Sequence, residues 1–121
     1  IEVRYVATNR MDSARTVAAW ADVAIVCVGN HPTCNAGWEQ APVVSEGKEA
    51  VDRQSIQLDQ EDLLLQVAQA NPNTIGVLIS SFPYATNRAN QRVPALLHNV
   101  VKNWDMLSAM CSSDIIIRQA D

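Results

Sequence analysis

"VAIVCVG" (23–29) is an uninterrupted apolar run, half of it β-branched, that stops at Gly29. A run of this length and composition suits a β-strand covered on both faces, as found inside a parallel sheet. "TIGVLIS" (74–80) repeats the pattern. Between the two runs, Leu63, Leu64, Val67 and Ala68 make one apolar stripe at helical spacing. Asp59 is the expected N-cap of that helix, with Glu61 and Asp62 in its first turn, where the helix dipole favours carboxylates. Asn71-Pro72 ends it.

The same alternation extends outward. "IEVRYVA" (1–7) has a period of two, with Ile1, Val3, Tyr5 and Ala7 on one side and Glu2, Arg4 and Val6 on the other. Asn9 or Asp12 is the expected cap of a following helix carrying Ala14, Val17, Ala18 and Ala21 on one face. Residues 81–94 read as a loop and "ALLH" (95–98) as a short strand. Val100, Trp104, Leu107 and Cys111 fall at helical spacing, and "DIIIR" (114–118) reads as a last strand. Strands alternating with helices predict an α/β fold: a three-layer α/β/α sandwich with a mostly parallel sheet and right-handed crossovers. A chain of 121 residues reads as a single domain, 1–121.

Composition narrows the function. With 48% hydrophobic and 18% charged residues the chain is globular. A net charge of −4 and scattered basic residues argue against a nucleic-acid surface. No apolar run approaches the roughly 20 residues of a membrane span. The chain begins at Ile1 without a recognisable signal peptide, as a processed chain or a fragment would. Cys27, Cys34 and Cys111 are odd in number and lack CxxC spacing, so neither a disulfide framework nor a structural zinc site is indicated. Cys27 reads as a small core residue. No GxGxxG or GxxxxGK[ST] fingerprint and no GxSxG elbow occurs, and no tight cluster of metal ligands is present. No cofactor and no metal is expected.

In a parallel α/β sheet, ligands bind beyond the carboxyl ends of the strands. The loops after Val28, Ser80 and His98 belong to that rim. The longest covers residues 30–55, lacks periodicity and contains "EGKEAVDR" (46–53). Unpatterned stretches of this length are uncommon in compact domains and are often functional. Glu46 and Glu49 either belong to a solvated charged loop or do general acid–base work, donating a proton to a leaving oxygen. Asp52 and Arg53 read as an ion pair or loop anchor. His31 and His98 each follow a strand and are possible ligand contacts. Trp38 either stacks on a sugar ring or folds back into the loop's own small core.

The order of segments resembles the C-terminal α/β-sandwich domain of family 3 glycoside hydrolases, the β-glucosidases and β-xylosidases. The residues that carry the resemblance are Ala21–Gly29, Glu46–Arg53, Ser55–Leu58, Gln60-Glu61, Ala70–Ser80 and "VPALLH" (93–98). It covers about residues 15 to 100. It implies a division of labour. The nucleophilic Asp comes from a preceding (β/α)₈ barrel, and the sandwich domain supplies the general acid/base from a loop over the barrel's mouth. The expected acid is Glu46 or Glu49, with His31, Trp38, Asp52 and Arg53 around the substrate. The expected partners are a β-glucoside or β-xyloside and a barrel domain. A barrel takes about 250 residues, so the nucleophile is expected outside this chain. The family is often exported, but the sequence assigns no compartment. Members usually continue with a Gly-Asp-x-x-Pro-x-Gly segment where this chain has "CSSDIIIRQAD" (111–121), so a truncated domain with a tail diverging from about residue 100 is expected. A truncated sheet edge invites pairing with a second copy. The alternative reading is a free-standing flavodoxin-like binding or interaction module without catalysis.

Overall fold

A computed structural model describes residues 2–7, 10–29, 52, 54–80, 83–100 and 114–119. The fold is α/β. The elements in chain order are β1 (Glu2–Ala7), α1 (Met11–Trp20), β2 (Val23–Val28), α2 (Glu61–Ala70), β3 (Thr74–Ser80), α3 (Asn87–Arg92), β4 (Ala95–Val100) and β5 (Asp114–Gln119). The five strands form one sheet in the order β1-β5-β2-β3-β4. β2, β3 and β4 pair in parallel. β5 runs antiparallel between β1 and β2, so four of the five strands point the same way.

From β1 to β2 to β3 to β4 the chain always steps in one direction across the sheet. Right-handed crossovers that step one way deposit their helices on one face. Accordingly α1 packs on α2 and α2 on α3. The helix read from Val100 to Cys111, which a third layer would need, falls outside the described residues apart from Val100.

The core sits between this helical layer and the sheet. Ala24, Val26 and Val28 of β2 are buried beneath it, while Val23, Ile25 and Cys27 on the opposite face are half-buried. The apolar run is therefore fully enclosed on one face only. From α2 come Leu63, Leu64 and Val67; from α1 come Ala14 and Ala18, whose small size lets the two helices approach closely. Gly76 of β3 has the same use. A Cβ there would stand 2.8 Å from Leu96 Cδ1 and 3.1 Å from Leu64 Cδ1, so its absence lets α2 lie flat on the sheet. On the opposite face Cys27 and Val77 pack against Ile79.

β1 reverses the expected facing. Val6 packs on the core and Arg4 lies 3.7 Å over the Trp20 ring, held by Glu2 at 2.9 Å. Val3 and Tyr5 point to the other face and are each 57% exposed. The alternation is right, but β1 is an edge strand beside α1. The stem and guanidinium of Arg4 cover the tryptophan there, which frees the apolar residues for the outer face.

Both helix starts also differ from expectation. α1 begins at Met11 with Arg10 as cap; Asp12 lies inside the first turn, where its carbonyl accepts the Thr16 hydroxyl at 2.8 Å, and Asn9 lies outside the described residues. α2 is capped at Gln60, one residue after Asp59, with no side-chain cap. The Glu61 N–H instead finds the Leu58 carbonyl at 3.0 Å, so a backbone turn satisfies the donor that an Asp cap would have served. Residues 81–94 are not all loop. α3 was invisible in the sequence because it is polar and buries only Ala89. Val100 closes β4 and does not open a helix; Trp104, Leu107 and Cys111 lie outside the described residues.

Asn71 fastens α1 to α2 where both helices end. Its buried amide donates to the carbonyls of Ala18 (3.0 Å) and Ala21 (2.7 Å), and its Oδ1 accepts from the Asn73 N–H at 2.8 Å. The Ala21 carbonyl belongs to the C-cap of α1, and the Ala18 carbonyl also accepts the Ala21 N–H at 3.2 Å, so the amide completes the end of the helix. Asn71→Ala should cost about 2–4 kcal/mol, since it removes three bonds and leaves two partners unsatisfied. Urea unfolding measures this; a cost below about 1 kcal/mol would mean that water replaces the side chain without penalty.

Candidate rim of an active site

The parallel strands end on one rim, at Val28, Ser80 and Val100. The backbone of β2 leaves the sheet there through Gly29. Its φ of +152° lies outside the range of ordinary side chains, and a Cβ would stand 1.8 Å from the Ile79 carbonyl oxygen. Only glycine lets the chain turn off the sheet this close to β3.

The stretch entering α2 is bound to the same rim. Gln60, 5% exposed, donates from Nε2 to the Gly29 carbonyl at 3.3 Å. Gln57 bridges Ala85 in parallel, and the Ala85 N–H donates to the Ile56 carbonyl at 2.8 Å. One residue on, Glu61 reaches α3. Its Oε1 accepts the Ala89 N–H at 3.0 Å and its Oε2 accepts Arg88 Nε at 2.7 Å, while Arg88 also donates to Asp62 at 2.8 Å. The hydrogen bond to Glu61, followed by that to Asp62, raises the Arg88 pKa above its already high ordinary value, so the guanidinium stays charged. Glu61 is only 5% exposed. A carboxylate this deep is tolerated because a cation and a helix-terminal N–H both meet it. Glu61 thus serves α3 as well as its own helix, a role that spacing along α2 alone did not reveal.

The third feature is a pair. Ser80 Oγ and His98 Nε2 are 2.9 Å apart across β3 and β4. Ser80 is fully buried and His98 is exposed. Buried at the strand end, the serine hydroxyl orients the imidazole and is not open to a substrate as a nucleophile. The sequence assigned Ser80 no partner, because 18 positions separate it from His98.

Of the residues singled out in the sequence, Asp52 is described and exposed. His31, Trp38, Glu46, Glu49 and Arg53 lie outside the described residues. Among the described residues no cluster of three His, Cys, Asp or Glu side chains forms a metal site, and no helix is long and apolar enough to cross a membrane. Two surface grooves of about 380 and 400 Å³ lie on the helical layer. One is bordered by Asp62, Gln66, Arg88 and Arg92, the other by Asp12, Arg15 and Ala70. Neither is lined by Gly29, Ser80 or His98.

No curated relative and no solved structure matches the chain. The family model described as the glycosyl hydrolase family 3 C-terminal domain matches residues 2–112, beyond both ends of the segments that carry the resemblance in the sequence. An α/β sheet whose parallel strands end on one rim, with the family pattern running through nearly the whole chain, makes this a glycoside hydrolase domain: the chain belongs to the glycosyl hydrolase family 3 C-terminal domain family.

Proposed function

We propose that this domain supplies the general acid/base of a retaining β-glycosidase whose nucleophile resides in a (β/α)₈ barrel domain. The observation that supports the reading is the bond from the Gln60 amide to the Gly29 carbonyl at 3.3 Å, which joins the carboxyl end of β2 to the stretch entering α2; in sequence, residues 30–53 with Glu46 and Glu49 lie between these two points. Ligands of parallel α/β sheets gather at that rim.

In the retaining reaction a carboxyl of this loop donates its proton to the glycosidic oxygen as the barrel's Asp attacks the anomeric carbon. The bond to the leaving group breaks and a glycosyl ester forms. The same group, now a carboxylate, takes a proton from water as water attacks that ester. The two carboxyls must stand about 5–5.5 Å apart. Glu46 is the favoured donor and Glu49 the second candidate. Gly47 beside Glu46 allows close backbone approach to a ligand. Lys48 and Arg53 near Glu49 would keep that residue ionised, whereas an acid must begin protonated. Trp38 stacks on a sugar ring of a β-glucoside or β-xyloside, His31 contacts it, and Asp52 and Arg53 anchor the loop. Pairing of the edge strands β1 or β4 with a second copy is the self-association that this sheet favours.

The test is complementation. The chain alone should not hydrolyse aryl β-glucosides or β-xylosides above the buffer rate, because covalent catalysis needs both carboxyls. Adding a family 3 barrel domain should bring turnover. Turnover by the chain alone, abolished by one substitution within it, would refute the division of labour.

A further inference from the structure

We propose that this chain forms a homodimer through its edge strand β1, which pairs antiparallel with β1 of a second copy in the one register that centres on Val3. This narrows the edge pairing proposed above to one strand and one register, and it makes no use of the acid/base loop.

β1 ends the sheet. β5 lies on one side of it and, among the described strands, none lies on the other. Glu2, Val3, Arg4 and Tyr5 are all exposed. The strand therefore presents backbone N–H and C=O groups along an open side, a template for another strand. Its two faces are unlike. Val3 and Tyr5 point to the outer face of the sheet, each 57% exposed. Glu2 and Arg4 alternate with them and lie on the face of Trp20.

Two identical strands that extend one sheet are related by a two-fold axis perpendicular to it. That axis keeps each face on its own side, so odd positions oppose odd and even oppose even. Charge then decides among the few registers left. With Arg4 at the centre, two guanidinium groups would stand directly opposite each other; with Glu2 at the centre, two carboxylates would. Like charges so placed are destabilising. With Tyr5 at the centre, Arg4 would oppose Val6 and gain no partner. With Val3 at the centre, Glu2 opposes Arg4 of the second copy, and Arg4 opposes its Glu2. Two reciprocal ion pairs then form on the helical face, while on the outer face Val3 meets Val3 and each Tyr5 lies diagonal to that pair. Exposed ion pairs add little affinity, so their main effect is to select the register. Arg4 holds Glu2 of its own chain through Nε at 2.9 Å. A guanidinium has five N–H donors, so its Nη groups can also take the carboxylate of the second copy. The other edge lacks this self-complementarity: β4 carries no carboxylate to fix a register.

Sedimentation velocity on the chain over a range of concentrations reads the association. A ladder this short sits at the low end of interface size, so the wild type should pass reversibly from monomer to dimer with a dissociation constant of about 10 µM to 1 mM. Glu2→Arg alone and Arg4→Glu alone should each weaken the dimer roughly 10-fold or more, since each sets like charges opposite one another in both pairs. Mixed in equal amounts, the two variants should associate at least as tightly as the wild type, because every charged position then faces its opposite. Should Arg4→Glu fail to fold for want of its contact with Trp20, Val3→Lys and Val3→Glu serve instead. Position 3 opposes itself in this register, so each of these variants should dissociate alone and the mixture should recover. A wild type that stays monomeric throughout that range overturns this dimer together with the edge pairing proposed above. A dimer that no variant weakens overturns pairing through β1 and leaves pairing through β4 standing. Variants that dissociate and do not recover on mixing overturn the register. The acid/base reading is decided by turnover, on which none of these outcomes bears.

Discussion

Glu46→Gln, assayed with a family 3 barrel domain, is expected to lower kcat by about 100- to 10,000-fold on glycosides with alkyl or phenyl leaving groups, the span typical of a lost general acid. On a dinitrophenyl glycoside the loss should be far smaller at the glycosylation step, because that leaving group departs as a stable anion without needing a proton. The pH profile gives an independent reading. A general acid must be protonated, so the wild-type rate falls as pH rises through its pKa. Glutamine cannot titrate, and the alkaline limb should flatten in the variant. Glu49→Gln should show neither signature if Glu46 is the donor, and both if the order is reversed. Wild-type behaviour of both variants on both substrates would mean that "EGKEAVDR" is a solvated charged loop.

Gly29→Ala carries the largest expected effect on the fold. The new methyl would stand 1.8 Å from the Ile79 carbonyl oxygen and 2.8 Å from its carbon. Both atoms are backbone of β3, which is paired on each side and cannot retreat without breaking its ladders to β2 and β4. The φ of +152° adds strain that no rotamer relieves. Strain of this class together with overpacking costs about 3–5 kcal/mol. Domain stabilities are about 5–15 kcal/mol, so the variant should express poorly, or melt about 10–20 °C lower by the entropy scaling of small domains. Gly76→Ala is the control. Its nearest neighbours at 2.8–3.2 Å are methyl ends of Leu96 and Leu64, which can rotate aside. A Gly29→Ala melt within a few degrees of the wild type would show that β2 leaves the sheet by another path.

The sequence by itself determined the α/β class, the two inner parallel strands and the buried stripe of α2. These depend on local periodicity: runs such as "VAIVCVG" and "TIGVLIS" satisfy a strand's alternation wherever they are placed, and Leu63, Leu64 and Val67 share a helix face by spacing alone. The segment order also carried the family resemblance. Pairings between distant positions were legible only in the tertiary structure. The antiparallel insertion of β5 between β1 and β2 leaves no trace in the composition of "DIIIR", because strand direction is set by the path of the connections and not by the residues paired. β1 turned Val3 and Tyr5 outward because Arg4 found Trp20 on α1, a contact across 16 positions. α3 forms with one buried alanine because Glu61, from another helix, receives its Ala89 N–H. The rim features follow the same rule. A glycine after a strand is common, and a glutamine before a helix is ordinary. What distinguishes Gly29 and Gln60 is that folding brings the carbonyl of one to the amide of the other while β3 closes off every other side chain at position 29.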